Sequence, residues 1–147
     1  MTRKVNNPLS LLKISLSFIF LFAYSQPYAG KIIVHPGHEY SAISQNKLRA
    51  IYSMRVRVWP DGTPIAAFIL NPDSATHRNF CLTDLEIFPY QMQRVWDIMV
   101  YSGTGQSPIE VKSETEMIRN ISLTPGAIGY ISDGGATDNV YVIDIQK

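Results

Sequence analysis

The chain has 147 residues, with 13 lysines and arginines, 12 aspartates and glutamates, and one cysteine. This length allows one domain of typical size. The near-neutral charge argues against a nucleic-acid-binding protein, which would need a basic surface patch. A single cysteine excludes an internal disulfide framework and a cysteine-rich zinc site. At 46% hydrophobic residues, the composition is too apolar for a disordered chain.

The first 29 residues have the pattern of a secretory signal peptide. Three basic residues are the only charges before an uncharged apolar run over 14–23. Ten helical residues rise about 15 Å, half of a ~30 Å hydrocarbon core, which suits a signal sequence better than a membrane span. Cleavage is predicted after Ser25 or Ala29, with a retained membrane anchor as the alternative. We therefore expect export to the periplasm.

Export would change the charge of the protein and the setting of its cysteine. Without residues 1–29 the chain keeps 118 residues, 10 of them basic and 12 acidic, so its formal charge becomes −2. In an oxidising compartment Cys81 has no second cysteine in the chain to pair with. Since Cys81 lies between Phe80 and Leu82 in a predicted helix, we expect a buried apolar side chain rather than an intermolecular thiol.

After the signal, the sequence alternates predicted strands and helices. Apolar, β-branched runs predict strands over 31–34, 63–70, 127–131 and 140–145. Capping residues and apolar spacing predict helices over 45–52, from Asp73 or Ser74 to 82, over 90–101, and from the capping box at 113–116 to about 121. This order indicates an α/β fold: residues 30–147 form a single three-layer domain, with an approximately four-stranded, mostly parallel sheet and flanking helices.

The segment after Leu70 is the natural place for a small-anion site. In open α/β sheets ligands lie beyond the carboxyl ends of strands, next to helix N-termini. Leu70 ends a predicted strand, and Ser74 can begin the next helix.

Five stretches resemble the periplasmic phosphate-binding proteins of ABC transporters. Together they cover nearly all of residues 31–132, and the last of them is the most specific. The stretches are Ile-Val-His-Pro at 33–36, Ser-Gln-Asn-Lys-Leu-Arg-Ala-Ile-Tyr at 44–52, Arg-Val-Trp-Pro-Asp-Gly-Thr-Pro-Ile at 57–65, Ser-Gly-Thr-Gly at 102–105 and Thr-Pro-Gly-Ala-Ile-Gly-Tyr at 124–130. The resemblance implies one lobe of a two-lobed clamp that closes on phosphate, since each lobe needs about 120 residues to bury its own core.

The resemblance also implies where phosphate would bind. The matching lobe of the family carries a ligand loop similar to Arg-Ser-Asp-Gly-Ser-Gly-Thr, and Ser74, Ala75 and Thr76 fall on its Ser-Gly-Thr part. Asn71 falls where the phosphate-pairing arginine would be. Arg78 lies one helical turn after Ser74 and would compensate only by folding back towards the N-terminus.

A lone lobe is expected to bind phosphate weakly, because a half-exposed ion contact contributes about 1 kcal/mol or less. A homodimer or another protein would have to supply the missing wall. Thr104, in a glycine loop, is a further candidate ligand. The sequence thus predicts an exported phosphate- or oxyanion-binding module acting with a membrane transporter or sensor. The alternative is a protein-interaction module that kept the lobe fold and lost its ligand.

Other residue groups favour neither a metal site nor an enzyme. His35, His38 and Glu39 lie within five residues, but across Pro-Gly they match no metal-ligand pattern, so we expect no metal and no cofactor. No serine, histidine and aspartate order indicates a nucleophile. His77 is expected on a helix surface. Four aromatics are expected to be core or half-buried, with an exposed subset as a partner interface in the alternative: Phe88, Tyr90, Trp96 and Tyr101.

Overall fold

The computed structural model describes residues 30–37, 39 and 41–147. The predicted signal peptide and His38 lie outside the described residues. Within the described part of the chain, no helix is both long enough and apolar enough to cross a membrane.

Six strands and four α-helices follow one another along the described chain. The strands are β1 (Lys31–Val34), β2 (Ala42–Ser44), β3 (Ala66–Leu70), β4 (Ile109–Val111), β5 (Ala127–Ile131) and β6 (Tyr141–Gln146). The helices are α1 (Gln45–Tyr52), α2 (Ala75–Asn79), α3 (Pro89–Tyr101) and α4 (Glu114–Leu123), and α2 continues into a π-helical turn (Phe80–Asp84). Serines begin three helices: the side chains of Ser44, Ser74 and Ser113 each accept a hydrogen bond from a backbone N–H in the first turn.

The predicted α/β class is confirmed, but the expected four strands are six. β2 and β4 are the two strands that the sequence prediction lacks. Each has three residues and pairs with one neighbour at a sheet edge, so neither carries enough alternating positions to reveal a period of two. The four predicted strands and the four predicted helices are all present, with ends shifted by a few residues.

The sheet is mostly parallel, with strand order β2-β6-β1-β5-β3-β4. β1 runs antiparallel to both of its neighbours, while the pairs β2–β6, β3–β5 and β3–β4 are parallel. β3, β4 and β5 therefore end at the same edge of the sheet, which we call the carboxyl edge. They all begin at the opposite edge, which we call the amino edge.

Helices cover both faces of the sheet and make three layers. A Cβ at Gly129 in β5 would overlap the side chains of Met117 and Ile121, so α4 packs closely on that face. The next residue, Tyr130, points to the other face and stacks on Phe80, with ring centroids 3.8 Å apart. Tyr52 of α1 contacts the rings of Phe80 and Tyr130 edge-on, so α1 and the α2 segment form the second helical layer on this face.

Two turns lock together at the amino edge. The Trp59 indole N–H donates to the carbonyl of Gly126 at 2.9 Å, and the N–H of Ala66 donates to the same carbonyl at 3.2 Å. Gly126 has φ +77°, and a Cβ there would overlap the carbonyl oxygen of Pro64. Glycine is therefore required at 126 for both its conformation and its close approach.

Burial corrects two sequence expectations and confirms a third. His77 is 1% exposed, so it is a core residue and not a helix-surface residue. Among the four aromatics expected to be core or half-buried, Trp96 is buried, but Phe88, Tyr90 and Tyr101 are 54%, 69% and 90% exposed. Cys81 is fully buried, as predicted.

Candidate functional site

Polar side chains collect at the carboxyl edge because three parallel strands end there. Leu70, Val111 and Ile131 are the last residues of β3, β4 and β5. α2 follows the first of these strands and α4 the second, so the first turns of two helices meet at this edge. Helix N-termini carry partial positive charge and unpaired N–H groups, which favour an oxyanion there.

The loop after β3 is folded by Asn71. The Asn71 side-chain oxygen accepts from the N–H of Asp73 at 2.9 Å, which makes a local turn into α2. The amide nitrogen of the same side chain donates to Glu110 Oε1 at 3.2 Å. Glu110 belongs to the neighbouring strand β4, so Asn71 joins the two strand ends through an exposed contact with a carboxylate.

Glu114 is the centre of the site. One of its carboxylate oxygens accepts from the hydroxyl of Thr76 at 3.2 Å and from the N–H of Ser132 at 2.9 Å, and the other accepts from the Ser132 hydroxyl at 2.9 Å. Thr76 is in the first turn of α2, and Ser132 directly follows β5. Donors from two separate elements thus converge on the two oxygens of one carboxylate.

A buried chain of hydrogen bonds connects α2 to β3 and β5. The N–H of Leu70 donates to the Tyr130 hydroxyl at 3.0 Å, and that hydroxyl lies 2.6 Å from His77 Nδ1. Because the hydroxyl accepts from Leu70, we assign its own proton as the donor to Nδ1. The imidazole proton is then on Nε2, which lies 3.4 Å from Cys81 Sγ. Burial lowers the pKa of His77 to about 4, which fits this neutral form.

The Cys81 and His77 pair is structural. Burial raises the pKa of the Cys81 thiol to about 12, with the charge of Asp84 adding to the shift. A nucleophilic cysteine needs a thiolate and access to substrate. Cys81 is fully buried, so the pair offers neither.

The predicted site residues divide between two places. Asn71, Ser74, Ala75, Thr76 and Arg78 lie together at the carboxyl edge, where the Ser74 hydroxyl accepts from the N–H of His77 at 3.1 Å. Ala75 and Arg78 are exposed on the outer side of α2. The Arg78 N–H donates to the Ser74 carbonyl at 3.1 Å, so the guanidinium stem begins one turn beyond the cap.

Thr104 is not brought to this group. Its carbonyl accepts from the guanidinium of Arg57, and it lines an open cavity of about 710 Å³ together with Ala66 and Ile109. Ala66 and Ile109 begin β3 and β4, so this cavity lies at the amino edge. Four residue steps of strand, about 13 Å, separate the two edges along β3.

Three carboxyl-edge residues were missed by sequence reasoning: Glu110, Glu114 and Ser132. Ser132 follows a correctly predicted strand, so its position alone could have indicated the site. Glu110 lies in β4, which the sequence did not reveal, and Glu114 lies in the first turn of the predicted helix α4, which follows β4 to this edge. At the other end of the chain, the His35 ring accepts from the N–H of Gly37 at 3.0 Å, which is a local turn contact.

Several solved structures share this fold. The chain aligns with an ABC-type phosphate transport receptor from Vibrio cholerae at TM-score 0.63 and 19% identity, covering 82% of this chain and 47% of the receptor. It aligns with PstS from Borrelia burgdorferi at 0.61 and 20%, covering 82% and 48%. A phosphate ABC transporter substrate-binding protein with bound phosphate from Clostridium perfringens gives 0.58 and 14%, covering 80% and 45%.

These similarities establish the fold and its extent. The chain spans about half the length of each of these proteins, which is consistent with a single lobe. Neither a protein-family model nor a curated protein sequence matches it. The predicted resemblance is therefore confirmed at the level of fold, and these structural neighbours are binding proteins rather than enzymes.

Proposed function

We propose that this chain is an exported oxyanion-binding lobe that takes inorganic phosphate at its carboxyl edge and works with a membrane transporter or sensor. One observation carries the proposal. The hydroxyl of Thr76 and the N–H and hydroxyl of Ser132 already hold an oxyanion group, the carboxylate of Glu114. Donors arranged for two carboxylate oxygens are arranged for two phosphate oxygens as well.

Phosphate would have to displace Glu114 from these donors. Glu114 is partly exposed at the start of α4, so its side chain can turn towards solvent without breaking the core. The carboxylate of Glu110, which accepts from Asn71 at the same edge, then favours an anion that carries a proton, since a carboxylate can accept a hydrogen bond but repels a second unprotonated anion. Phosphate keeps a proton near neutral pH and sulfate does not, so phosphate is the expected ligand.

The affinity of the isolated lobe is expected to be low. Asn71 stands in place of a cation, and its amide is already engaged with Glu110. Arg78 carries the positive charge of α2, and it is exposed one turn beyond Ser74. A half-exposed ion contact contributes about 1 kcal/mol or less, so millimolar binding is the expected range.

Calorimetric titration with phosphate and sulfate tests the proposal. The exported protein, Glu114→Gln and Thr76→Val would be titrated side by side, with Thr104→Val as a matched control at the amino edge. We expect Glu114→Gln to bind phosphate about tenfold tighter than the wild type, because it removes the competing charge. Thr76→Val should weaken binding while Thr104→Val leaves it unchanged.

Two results would count against phosphate binding. If neither the wild type nor Glu114→Gln gives heat with millimolar phosphate, the edge is not an anion site. Equal weakening by Thr76→Val and Thr104→Val would show that the binding is not located at the carboxyl edge.

A second candidate function is favoured by Glu114 itself. If this carboxylate permanently closes the donor set, the lobe is a protein-interaction module in the cell envelope that kept the fold without the ligand. In that case Glu114→Gln would bind phosphate where the wild type does not. Cross-linking in the intact envelope with a photoreactive residue at the exposed position 75 would then identify the partner, and absence of any specific adduct would contradict this alternative.

A further inference from the structure

We propose that two copies of this chain associate through the outer face of α3, as an antiparallel and self-complementary helix pair. The face consists of Tyr90, Arg94, Asp97 and Tyr101, which we call the α3 seam. All four side chains are exposed, and Tyr90 and Tyr101 are 69% and 90% exposed. The opposite side of the same helix is buried through Met92 and Trp96.

The spacing of the seam is that of a helix-pairing stripe. Its residues follow one another at intervals of four, three and four, so all four lie along one side of the helix. This alternation matches the two apolar-type positions of a heptad, the pattern with which helices pack at a shallow angle. The four residues span eleven helical steps, or about 16 Å.

An antiparallel second copy brings complementary groups together. When Arg94 of one helix lies opposite Asp97 of the other, the same register puts Tyr90 opposite Tyr101. The two-fold axis repeats both contacts, so one register makes two ion pairs and two aromatic pairs. A two-fold interface requires this reciprocity, in which one residue contacts a second and the second contacts the first. The charge pattern thus identifies the occupant as another copy of this chain.

Contacts within and next to α3 orient the seam side chains for this pairing. The Gln93 amide donates to Asp97 Oδ1 at 2.9 Å, which orients the carboxylate and leaves its other oxygen for an arginine. The Phe88 and Tyr90 rings stack with centroids 5.7 Å apart, so the first end of the seam presents a preformed aromatic pair. Ile98 and Val100, at 58% and 49% exposure, flank the second end.

Exposed apolar surface is concentrated here. Among the described residues, eleven large hydrophobic side chains are exposed, and five of them belong to α3 or directly precede it. Aromatic residues and arginine are enriched where protein surfaces associate, so this concentration supports an interface.

Charge-reversal variants test whether the α3 seam mediates dimerisation. Sedimentation equilibrium over a concentration series would compare the wild type with Arg94→Glu, Asp97→Arg and the double variant. Each single variant places like charges opposite each other twice, and we expect dimerisation to weaken by about tenfold or more. The double variant exchanges both signs and should recover the dimer. Arg119→Glu, on an exposed position of α4, is the matched control and should have no effect.

Mixing the two single variants adds a decisive arm. Arg94→Glu and Asp97→Arg complement each other across the antiparallel pair, so the mixture should form heterodimers although each variant alone dimerises more weakly than the wild type. Circular dichroism of each variant checks that the fold is intact. A wild type that remains monomeric throughout the series would overturn the proposal, and so would a dimer that the single reversals leave unchanged.

Discussion

The two edges of the sheet are held by different kinds of contact. At the amino edge, the indole of Trp59 and the N–H of Ala66 share the carbonyl of Gly126, and these three groups are uncharged. At the carboxyl edge, hydroxyl and amide donors end on the carboxylates of Glu110 and Glu114. The Gly126 turn at the amino edge is therefore held by uncharged groups, whereas the carboxyl edge holds charged acceptors, one of which the proposed phosphate would replace.

The largest expected effect comes from breaking the amino edge. Gly126→Ala requires a positive φ of an alanine and forces its Cβ onto the Pro64 carbonyl oxygen. We expect a loss of about 3 kcal/mol or more in unfolding free energy. Gly62→Ala is the matched control, since Gly62 has φ +87° but open space around it. Its cost should be about 1 kcal/mol, for conformation alone.

Urea unfolding of the two glycine variants separates overlap from backbone strain. Equal losses for Gly126→Ala and Gly62→Ala would mean that the close approach to Pro64 contributes nothing. The amino edge would then be no more rigid than an ordinary exposed turn.

The unfolding free energy should depend on pH through two buried groups, His77 and Asp84, whose effects oppose each other. Burial lowers the pKa of His77 from 6.5 to about 4, so the unfolded chain takes up its proton first as the pH falls. The stability from neutral His77 is present above pH 6.5 and is lost towards pH 4. Burial raises the pKa of Asp84 from 3.8 to about 6, with Lys147 partly offsetting the rise, so the stability from protonated Asp84 is lost as the pH rises through 6.

Asp84→Asn should expose the contribution of His77. Each shift corresponds to about 3 kcal/mol, and between pH 4 and 6 the two slopes have opposite sign and nearly cancel. Asparagine stays neutral, so the unfolding free energy of the variant should fall by about 3 kcal/mol from pH 6.5 to 4, more steeply than that of the wild type. Parallel pH profiles for the two proteins would show that Asp84 does not oppose His77.

The carboxyl edge should lose less stability when its central acceptor changes. Glu114→Gln removes the charge that receives hydrogen bonds from Thr76 and Ser132, at a cost of about 1 kcal/mol for a partly exposed group. Glu116→Gln is the matched control in the same helical turn, because Glu116 accepts a hydrogen bond from the N–H of Lys112. This substitution should lower the unfolding free energy by about 0.5 kcal/mol. Chemical denaturation measures both unfolding free energies. Identical losses would show that Glu114 stabilises the carboxyl edge no more than Glu116 stabilises its helix turn.

The sequence predicts the two edges unequally, for physical reasons. The residues around Trp59 and Gly126 predict their turns, because glycine, proline and aspartate favour turn conformations locally. The loop before α2 is likewise local, and Ser74 is the helix cap that its sequence indicates. Glu114 depends on β4, a three-residue strand whose place in the sheet comes from pairing with β3. Contacts set by such long-range pairing leave no local pattern to detect.

Burial was predictable only where one face of an element decides it. Trp96 and the aromatic Tyr90 both occur at helical spacing, yet only the first is inside. Apolar character indicates that a residue prefers burial, but the number of apolar positions on α3 exceeds what one helix face can cover. His77 fails in the other direction, because the Tyr130 hydroxyl that satisfies it lies 53 residues away.

The smallest expected effect is at the exposed Asn71 contact, and salt dependence makes it informative. Asn71→Ala removes the local turn and the bond to Glu110, for a loss of about 0.5 kcal/mol. Asn71→Asp can still accept from the N–H of Asp73 but places a carboxylate against Glu110. Its loss should therefore shrink in 1 M salt, where charges are screened beyond about 3 Å, while that of Asn71→Ala stays constant. A salt-independent loss in Asn71→Asp would mean that Glu110 turns away, and that the carboxyl edge can relieve unfavourable charge by itself.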